Sequence, residues 1–364
     1  MQIAIAELIK AAAILPLPFP RQALVYGAGN KGRQVCGELL ARGSEVPAVL
    51  DAGAKPEQRC AGIAVYTPSA WLANNEASSM AIIIAIHNEY TPMPPILADL
   101  RSMGFARVLT PIDLYDALPD LPCHYWLAPR RFYLPFADEL ERLSGMLTDK
   151  TSRAWLAAVL QFRLGGDYSC LPEPALRDQY HPADLPRWPE QLRFIDGGAF
   201  TGDTLQQLAT AGYVFDAIAA FEPDLDNFKM LIRNCARFAS AICLPCGLGD
   251  YAKRVGFTAG MGGGSHIDSS ASEQITCVAL DEALPGFRPN LIKMDVEGAE
   301  LQALEGAASI IANCKPALAI SLYHRPEHLW RIPFLIDSWQ LGYRFHIRGH
   351  AQSSFDLVLY ALPA

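Results

Sequence analysis

The sequence predicts an α/β protein with two doubly wound sheets, and three observations carry that prediction. The chain has 364 residues, a length that suits two domains of ordinary size. Short apolar runs alternate with amphipathic stretches in two separate parts of the chain, which is the rhythm of parallel sheets with crossover helices. In each part a glycine-rich turn follows the first strand and opens a helix.

The composition favours a folded protein in the cytoplasm. Hydrophobic residues make up 51% of the chain and charged residues 19%, which is typical of core-forming sequences. The net charge of −8 argues against a nucleic-acid partner, which usually requires a basic face. No apolar run approaches the roughly 20 residues of a membrane span, and Glu7 with Lys10 interrupts the only segment that resembles a signal peptide.

The nine cysteines form no disulfide framework, because their number is odd and their spacing irregular. Cys243 and Cys246 are the one close pair. A zinc site would need a second pair or histidines at ligand spacing, and none follows. We therefore expect reduced cysteines that are buried in strands.

The first predicted domain covers residues 1–118 and is a Rossmann-like domain of the type that binds a nucleotide or a sugar nucleotide. It is built from strands joined by helices, in the order expected for a parallel sheet. The strands are Ala23–Tyr26, Glu45–Leu50, Met80–Ile86 and Arg107–Leu109, and the helices are Lys31–Arg42 and Pro94–Met103.

Residues 119–190 are predicted to be a linker and a helical segment that caps a catalytic domain at residues 191–364. Helices are expected at Ala137–Met146 and Thr151–Phe162. Because the last two apolar runs follow each other without a helix, they predict an antiparallel hairpin on a mostly parallel sheet. The strands of this domain are Arg193–Ile195, Ala217–Phe221, Ala241–Cys246, Leu291–Met294, Ala317–Ser321, Tyr343–Ile347 and Phe355–Tyr360, and its helices are Thr204–Ala211, Asp224–Arg237 (apolar stripe Leu225, Phe228, Leu231, Ile232 and Cys235) and Ala299–Asn313.

The first glycine-rich turn, with Gly27, Gly29 and Gly32, is a candidate second ligand site. Such a turn lets a phosphate approach the amides at a helix N-terminus, and Asp51 ends the next strand where an acid can hold ribose hydroxyls. A dinucleotide or sugar-nucleotide site and a scaffold without a ligand are equally compatible with this pattern. His87, after the third strand, is interpreted as a surface-loop residue.

The second glycine-rich turn begins with an acid and lacks the Gly-Lys-Ser/Thr of a phosphate-binding loop. A carboxylate here suits a ligand with an ammonium group or hydroxyls and not one with phosphate. Glu222, after the next strand, is placed to accept the hydroxyls of a ribose. Asp250 is placed to accept from an adenine amino group. S-adenosylmethionine is the natural candidate. The predicted cofactor-binding residues are Asp196, Gly197, Gly198, Ala199, Gly202, Glu222, Pro223, Gly249 and Asp250.

A third cluster of polar residues follows the strand Leu291–Met294. Asp295 and Glu297 are expected to face the crevice at the carboxyl edge of the sheet, and His324 follows the adjacent strand. We predict these three as the catalytic residues. Glu300 is interpreted only as a first-turn acid that favours the helix dipole.

These motifs resemble the FkbM family of S-adenosylmethionine-dependent methyltransferases over about 149–362. The family implies a class I methyltransferase sheet and the methylation of hydroxyls, often on sugars or on glycosylated and polyketide products. Many relatives carry an asparagine where this chain has Phe200, which removes one side-chain hydrogen bond from the turn. The segments that carry the resemblance are Asp196–Ala199 with Gly202, Phe221–Asp224 with Asn227, Phe228 and Asn234, Asp295–Glu300 with Leu304–Ala307, and Tyr323–Pro326.

The expected function is transfer of a methyl group from S-adenosylmethionine to a hydroxyl of a sugar, glycan or related small molecule, with Asp295 or His324 as the base. A variant places a divalent cation, Mg²⁺ or Mn²⁺, on Asp295, Glu297 and His324. The alternative is an NAD(P)- or nucleotide-sugar-dependent enzyme that acts through the first domain. The acceptor and the oligomeric state stay open.

Overall fold

The computed structural model describes residues 5–12, 20–118, 120–121, 124–176, 178–260, 264–268 and 270–364. The chain divides into two compact units. The N-terminal unit draws on Met1–Asp138, Leu156–Glu173 and Ala351–Phe355, and the C-terminal unit on Glu139–Trp155, Pro174–His350 and Asp356–Ala364. The predicted domain boundaries after residues 118 and 190 stay predictions.

The N-terminal unit contains a six-stranded sheet in the order β3-β4-β2-β1-β5-β6, parallel except for the edge strand β3. The chain reverses direction across the sheet between β1 and β5, and such a point opens a crevice at the carboxyl ends of the strands. In chain order the elements are α1 (Ile5–Ala12), β1 (Ala23–Tyr26), α2 (Asn30–Ala41), β2 (Val49–Leu50), β3 (Arg59–Cys60), β4 (Ile63–Tyr66), α3 (Pro68–Leu72), β5 (Ala81–Ile84), α4 (Met93–Ser102), β6 (Arg107–Leu109) and α5 (Pro111–Ala117).

Most predicted elements of this unit are present, and the missed ones are short. The second strand is only Val49–Leu50, shorter than the predicted Glu45–Leu50. Periodicity gave no signal for β3, β4, α3 or α5, because none of them exceeds seven residues. Capping chemistry marks α5 instead: Thr110 and Asp113 form a capping box around Pro111.

Two helices follow, α6 (Ala137–Met146) and α7 (Lys150–Gly165), close to the predicted bounds. In the C-terminal unit the main sheet has the order β16-β17-β15-β14-β7-β8-β9. The remaining elements are β7 (Gln191–Gly197), α8 (Asp203–Thr210), β8 (Val214–Phe221), α9 (Leu225–Cys235), β9 (Ala241–Leu244), β10 (Gly247–Leu248), β11 (Lys253–Thr258), β12 (His266–Ile267), β13 (Gln274–Val278), α10 (Leu280–Ala283), β14 (Leu291–Met294), α11 (Glu300–Glu305), α12 (Ala308–Cys314), β15 (Ala317–Ser321), α13 (His328–Ser338), β16 (Arg344–Gly349) and β17 (Leu357–Leu362).

The fold class is confirmed: five strands of the main sheet are parallel, and β17 pairs antiparallel with both β15 and β16 as the predicted hairpin requires. Strands β7, β14 and β15 are almost wholly buried, so they form the centre of the core. A second sheet, β10-β13-β11-β12, was not predicted. Its strands alternate buried and exposed residues over only a few positions, a pattern too short to separate from a loop.

Two predicted helices need correction. The stripe of α9 is wrong at Leu225 and Ile232, which are 57% and 48% exposed, whereas Leu231 and Cys235 are buried. The predicted helix Ala299–Asn313 is two helices, α11 and α12. They are separated at Gly306, where a Cβ would lie only 2.0 Å from the carbonyl oxygen of Gly249. Asp281 also lies at this break: it donates its N–H to the carbonyl oxygen of Gly306, and its carboxylate accepts the N–H groups of Ser309 and Ile310 at the start of α12.

Among the described residues, no helix is long and apolar enough to cross a membrane. The described cysteines are free thiols, and the close pair is not wholly within a strand. Cys243 lies in β9 and is half-buried, whereas the buried Cys246 follows β9 in the chain.

Candidate functional site

The turn between β7 and α8 lies at the carboxyl edge of the C-terminal sheet and is packed against the end of β14. Gly198 has φ +72°, and a Cβ there would lie 1.9 Å from the carbonyl oxygen of Asp295, so only glycine fits. Ala199 is fully buried and donates its N–H to the carbonyl oxygen of Phe221 at 2.9 Å. Gly202, at φ +85°, is the N-cap of α8.

Asp196, which sequence reasoning assigned to a ligand ammonium group, is fully buried and pairs with a lysine of the chain itself. The Nζ of Lys293 lies 3.0 Å from Asp196 Oδ1 and donates to the carbonyl oxygen of Gly198 at 2.6 Å. Burial alone would lower the pKa of Lys293, but the neighbouring carboxylate raises it to about 12. Asp196 therefore fixes the turn through Lys293. Sequence reasoning missed this lysine, because it is a charged residue in the middle of a buried strand.

Glu222, directly after β8, is bound to the same turn. Its Oε2 accepts the N–H of Phe200 and its Oε1 accepts the N–H of Asp224, both at 2.9 Å. Burial raises the pKa of Glu222 to about 7, although both backbone N–H groups act in the opposite direction. A carboxylate has about four lone-pair sites, so two remain for ligand hydroxyls.

Phe200 adopts a left-handed backbone conformation with φ +47°. Asparagine tolerates this conformation better than phenylalanine does, which gives a physical reason for the asparagine that many relatives have here. The amide hydrogen bond to Glu222 holds Phe200 in this conformation. The turn therefore keeps its shape without the asparagine side chain.

The remaining predicted cofactor residues differ in their contacts. Pro223 leads into Asp224, which caps α9 by accepting the N–H groups of Asp226 and Asn227. Asp250, after Gly249, forms an ion pair with Lys253, whose hydrogen bond lowers the pKa of Asp250. The ion pair does not test the predicted contact of Asp250 with adenine, which stays a prediction.

Asp295, directly after β14, is the centre of a hydrogen-bond network. Its Oδ1 accepts the hydroxyls of Ser321 at 2.6 Å and Tyr323 at 3.3 Å, and its Oδ2 accepts the hydroxyl of Tyr180 at 2.9 Å. Three donors thus orient the carboxylate, whose side chain keeps 21% of its surface exposed. Tyr180 lies far away in the sequence, in the loop before β7, and no pattern pointed to it.

His324 lies between carboxylates on both of its ring nitrogens. Its Nε2 is 3.4 Å from Asp295 Oδ1 and 3.4 Å from Glu297 Oε1, and its Nδ1 is 2.7 Å from Glu300 Oε1. Burial alone would lower the pKa of His324, but Glu297 and Glu300 raise it well above its ordinary value. The structure therefore brings together the three residues that were predicted as catalytic.

Glu300 has a larger structural role than the sequence analysis gave it. It does begin α11, but it is fully buried, and it accepts the N–H of Val296 at 2.9 Å and contacts His324. Its Oε2 lies 3.1 Å from Nδ1 of His328. The dipole interpretation is thus incomplete: Glu300 links two histidines and fixes the loop that carries Glu297. The spacing of Glu300 and His324 alone did not reveal this contact.

The same cluster has the composition of a cation site. Asp295, Glu300 and His324 each offer a ligand atom within 4.8 Å of the others. Nε2 of His324 faces Asp295 and Glu297, while Nδ1 is occupied by Glu300. Metal-bound histidines commonly hold their second nitrogen in this way. The donor atoms for a metal would thus be those of Asp295, Glu297 and His324, with Glu300 behind the histidine.

The candidate second site lies in the N-terminal unit, which is described by itself. Asp51 Oδ2 accepts the N–H of Ala28 at 2.8 Å, so the acid closes the turn that contains Gly27 and Gly29. A Cβ at Gly32 would lie 2.0 Å from the carbonyl oxygen of Gly27. Both contacts show that the glycine turn is closely packed. Binding of a ligand at this turn stays a prediction.

The interpretation of His87 as a surface-loop residue is wrong. Its side chain is buried, with ring centroids 4.9 Å from Trp126 and 4.6 Å from Phe355. Burial, followed by the positive charges nearby, lowers its pKa well below the ordinary value. No local sequence pattern indicates these aromatic neighbours, because they are distant along the chain.

Comparison with known proteins identifies the C-terminal region. Residues 196–345 match the family model described as the methyltransferase FkbM domain. The motif resemblance predicted this match to the family model. A search among curated proteins gave no match.

Among solved structures, methyltransferase FkbM from Methylobacillus flagellatus KT aligns with a TM-score of 0.80 at 23% identity, over 98% of this chain and 98% of that chain. This likeness shows a shared fold. An rRNA methylase from Streptococcus thermophilus (TM-score 0.33, 12% identity, 48% of this chain and 88% of that one) and a fibrillarin/Nop5p complex (TM-score 0.32, 13% identity, 50% and 77%) also align. Scores this low carry no argument about function.

Proposed function

We propose that this FkbM-domain protein is an S-adenosylmethionine-dependent O-methyltransferase whose acceptor is a hydroxyl of a sugar, glycan or related small molecule. One observation carries the proposal: the network of Asp295, Glu297 and His324 lies at the carboxyl edge of the sheet that also presents Glu222. Open α/β sheets bind their ligands at this edge.

The residues around the glycine turn fit S-adenosylmethionine. Glu222 keeps lone pairs for two ribose hydroxyls after its contacts with Phe200 and Asp224. Gly198 packs against the carbonyl oxygen of Asp295, so the glycine turn lies next to the predicted catalytic residues. Carboxylates dominate the edge, which suits a ligand with an ammonium and a sulfonium group better than one with phosphates.

When bound, S-adenosylmethionine supplies a methyl group on a sulfonium, and its leaving group is the neutral thioether of S-adenosylhomocysteine. The chain aligns the acceptor oxygen and takes up the proton that this oxygen loses as the O–CH₃ bond forms. Asp295 has one lone-pair site left beside Ser321, Tyr323 and Tyr180, which suits one acceptor hydroxyl. The proton passes to the carboxylate of Asp295, and His324 lies between this group and Glu297.

A divalent cation is the second candidate role of the same cluster. The separation of 3.4 Å between Nε2 of His324 and each carboxylate oxygen suits ligands that share one ion. Bound Mg²⁺ or Mn²⁺ would orient the acceptor hydroxyls as a Lewis acid. Activity of chelator-treated, metal-free protein tests whether the cluster acts directly or through a cation. Full activity excludes a role for the cation. A loss of activity that Mn²⁺ or Mg²⁺ restores supports that role.

The first test is a calorimetric titration of the purified protein with S-adenosylhomocysteine, with NADH as the parallel ligand. We expect micromolar binding of S-adenosylhomocysteine and a loss of about 1–3 kcal/mol in Glu222→Ala, the range for buried hydrogen-bonding groups left unpaired. Asp226→Ala is the matched control, because this acid lies on the same segment with 87% of its side chain exposed.

Binding of NADH without S-adenosylhomocysteine would reject the proposal in favour of the alternative, an NAD(P)- or nucleotide-sugar-dependent enzyme. The comparisons give that alternative no support. Once cofactor binding is established, methyl transfer to a panel of sugars with defined hydroxyls tests the acceptor class. Transfer only to amines or carboxylates would contradict the hydroxyl assignment.

A further inference from the structure

The N-terminal unit contains a buried arginine that has no carboxylate partner among the described residues. Arg163, near the end of α7, is 1% exposed. Its Nη2 donates to the hydroxyl of Ser354 at 3.5 Å, and its guanidinium carbon lies 5.0 Å from the ring centre of Trp126. Nε and Nη1 have no hydrogen-bond partner in the part of the chain that the structure describes. Buried charges are normally paired, so this arrangement calls for an explanation.

A second arginine of the same unit shows that the fold can pair such a charge. Arg130 is 5% exposed and forms ion pairs with Asp113, at 2.9 Å, and Asp116. Its Nε also donates to the carbonyl oxygen of Leu164 at 2.8 Å. Arg130 is thus paired with two acids, whereas no described acid forms an ion pair with Arg163. The difference indicates that the counter-charge of Arg163 comes from outside the chain.

Further buried polar groups surround Arg163. The indole Nε1 of Trp126 and Nε2 of His87 have no hydrogen-bond partner among the described residues, and the two rings lie 4.9 Å apart. Guanidinium and indole nitrogens only donate hydrogen bonds. His87 is the most exposed of the three, at 8%, and thus lies nearest to solvent. The cluster of Arg163, Trp126 and His87 therefore suits a ligand rich in acceptor oxygens and negative charge.

His87 also connects this cluster to the glycine turn. It follows β5, the neighbour of β1, and Cγ1 of Ile86 lies 3.0 Å from the position that a Cβ of Gly27 would take. Helix α2 begins at this turn without a side-chain cap, and Lys31 lies in its first turn. Amides at a helix start attract anions, and a lysine beside them is a common partner of phosphate groups.

We infer that the N-terminal unit binds a small phosphate-bearing ligand, with Arg163, Trp126 and His87 as hydrogen-bond donors to its oxygens and the turn at Gly27–Lys31 beside it. The site is separate from the proposed methyl-transfer cluster and does not depend on the proposed function. The ligand supplies the negative charge that no described residue supplies next to Arg163.

The test titrates the full-length protein with inorganic pyrophosphate in a calorimeter and follows its melting temperature. We expect saturable binding that raises the melting temperature, and at least tenfold weaker binding in Arg163→Met. Arg163→Lys should retain part of the affinity. Arg101→Met, which removes an exposed arginine of α4 with the same change in net charge, should bind like the wild type.

Several outcomes would overturn the inference: no pyrophosphate binding, equal binding by wild type and Arg163→Met, or binding of citrate in place of pyrophosphate. If Arg163→Met does not fold, His87→Phe is the second variant and should lower the affinity several-fold. S-adenosylhomocysteine titrations of the same variants check the C-terminal unit. A failure of cofactor binding in the wild type would reject the proposed function and leave the pyrophosphate result unaffected.

Discussion

The glycine turns of the two units share one local design but face opposite charges. After β1 the carboxylate of Asp51 accepts the N–H of Ala28, and after β7 the carboxylate of Glu222 accepts the N–H of Phe200. In both turns a glycine packs against a backbone carbonyl that leaves no space for a Cβ. The surrounding groups differ: acids follow β14 in the C-terminal unit, and His87 follows β5 in the N-terminal unit.

We propose that in each unit the turn sets the place of a ligand and the side chains around the turn set the charge of that ligand. The C-terminal edge carries Asp295 and Glu297 beside one histidine. The N-terminal unit carries Arg163 without an acid among the described residues. We therefore assign a cationic, hydroxyl-bearing cofactor to one turn and an anion to the other, both as proposals.

The largest expected effect is the loss of methyl transfer in Asp295→Asn. The variant keeps the size of the side chain but removes the charge that accepts the proton, so we expect a rate about 10²–10⁴-fold lower. S-adenosylhomocysteine affinity should stay within about threefold of wild type, because Asp295 does not touch the turn through its side chain. Asp226→Asn is the control, and an equal loss of binding and turnover would contradict the separate roles.

The next effect compares the two buried arginines by urea unfolding in the absence of ligand. Arg130→Met leaves Asp113 and Asp116 without their partner and should lower the free energy of unfolding by about 2–4 kcal/mol, since both acids keep about a fifth of their surface exposed. Arg163→Met leaves no described acid without a partner, so the free energy of unfolding should change by less than about 1 kcal/mol. Equal losses would mean that Arg163 has a structural role, which removes the reason for an anion site.

A smaller effect tests the close packing of the N-terminal turn. In Gly32→Ala the new Cβ would lie 2.0 Å from the carbonyl oxygen of Gly27, so the turn must shift at a cost of about 1–3 kcal/mol. Gly37→Ala, in the same helix with nothing within 4 Å of its Cβ, should stabilise the protein by about 0.5–1 kcal/mol. Thermal unfolding of both variants measures the difference, and similar melting temperatures would contradict it.

The smallest effect is the pH dependence of cofactor binding through Glu222. Its pKa is about 7 in the folded protein, and ribose hydroxyls donate to the ionised carboxylate, so protonation competes with binding. Affinity for S-adenosylhomocysteine should therefore fall by about tenfold between pH 8 and pH 6. Glu222→Gln should remove this part of the dependence, and calorimetry at both pH values measures it. A flat profile in the wild type would show that Glu222 does not bind the cofactor in its ionised form.

Continuous apolar runs and most amphipathic helices were predicted well, although the helix α13 was missed. Strands Leu291–Met294 and Ala317–Ser321 and helix Ala137–Met146 have the predicted bounds. Short elements such as β3, β11 and α5 were missed, since a few residues do not establish a period. Helix α9 was placed correctly, but its buried face was wrong at Leu225 and Ile232, because hydrophobicity alone does not show which side meets the core.

The α/β class, the two glycine turns and the acids that end neighbouring strands could be predicted, because they follow from alternation and spacing along the chain. The contacts of those acids became visible only in the folded protein. Asp196 pairs with Lys293, Glu300 with two histidines, and Tyr180 orients Asp295 across 115 positions of sequence. Such partners meet through the packing of distant segments, and their charges and hydrogen bonds depend on distances that no local pattern contains.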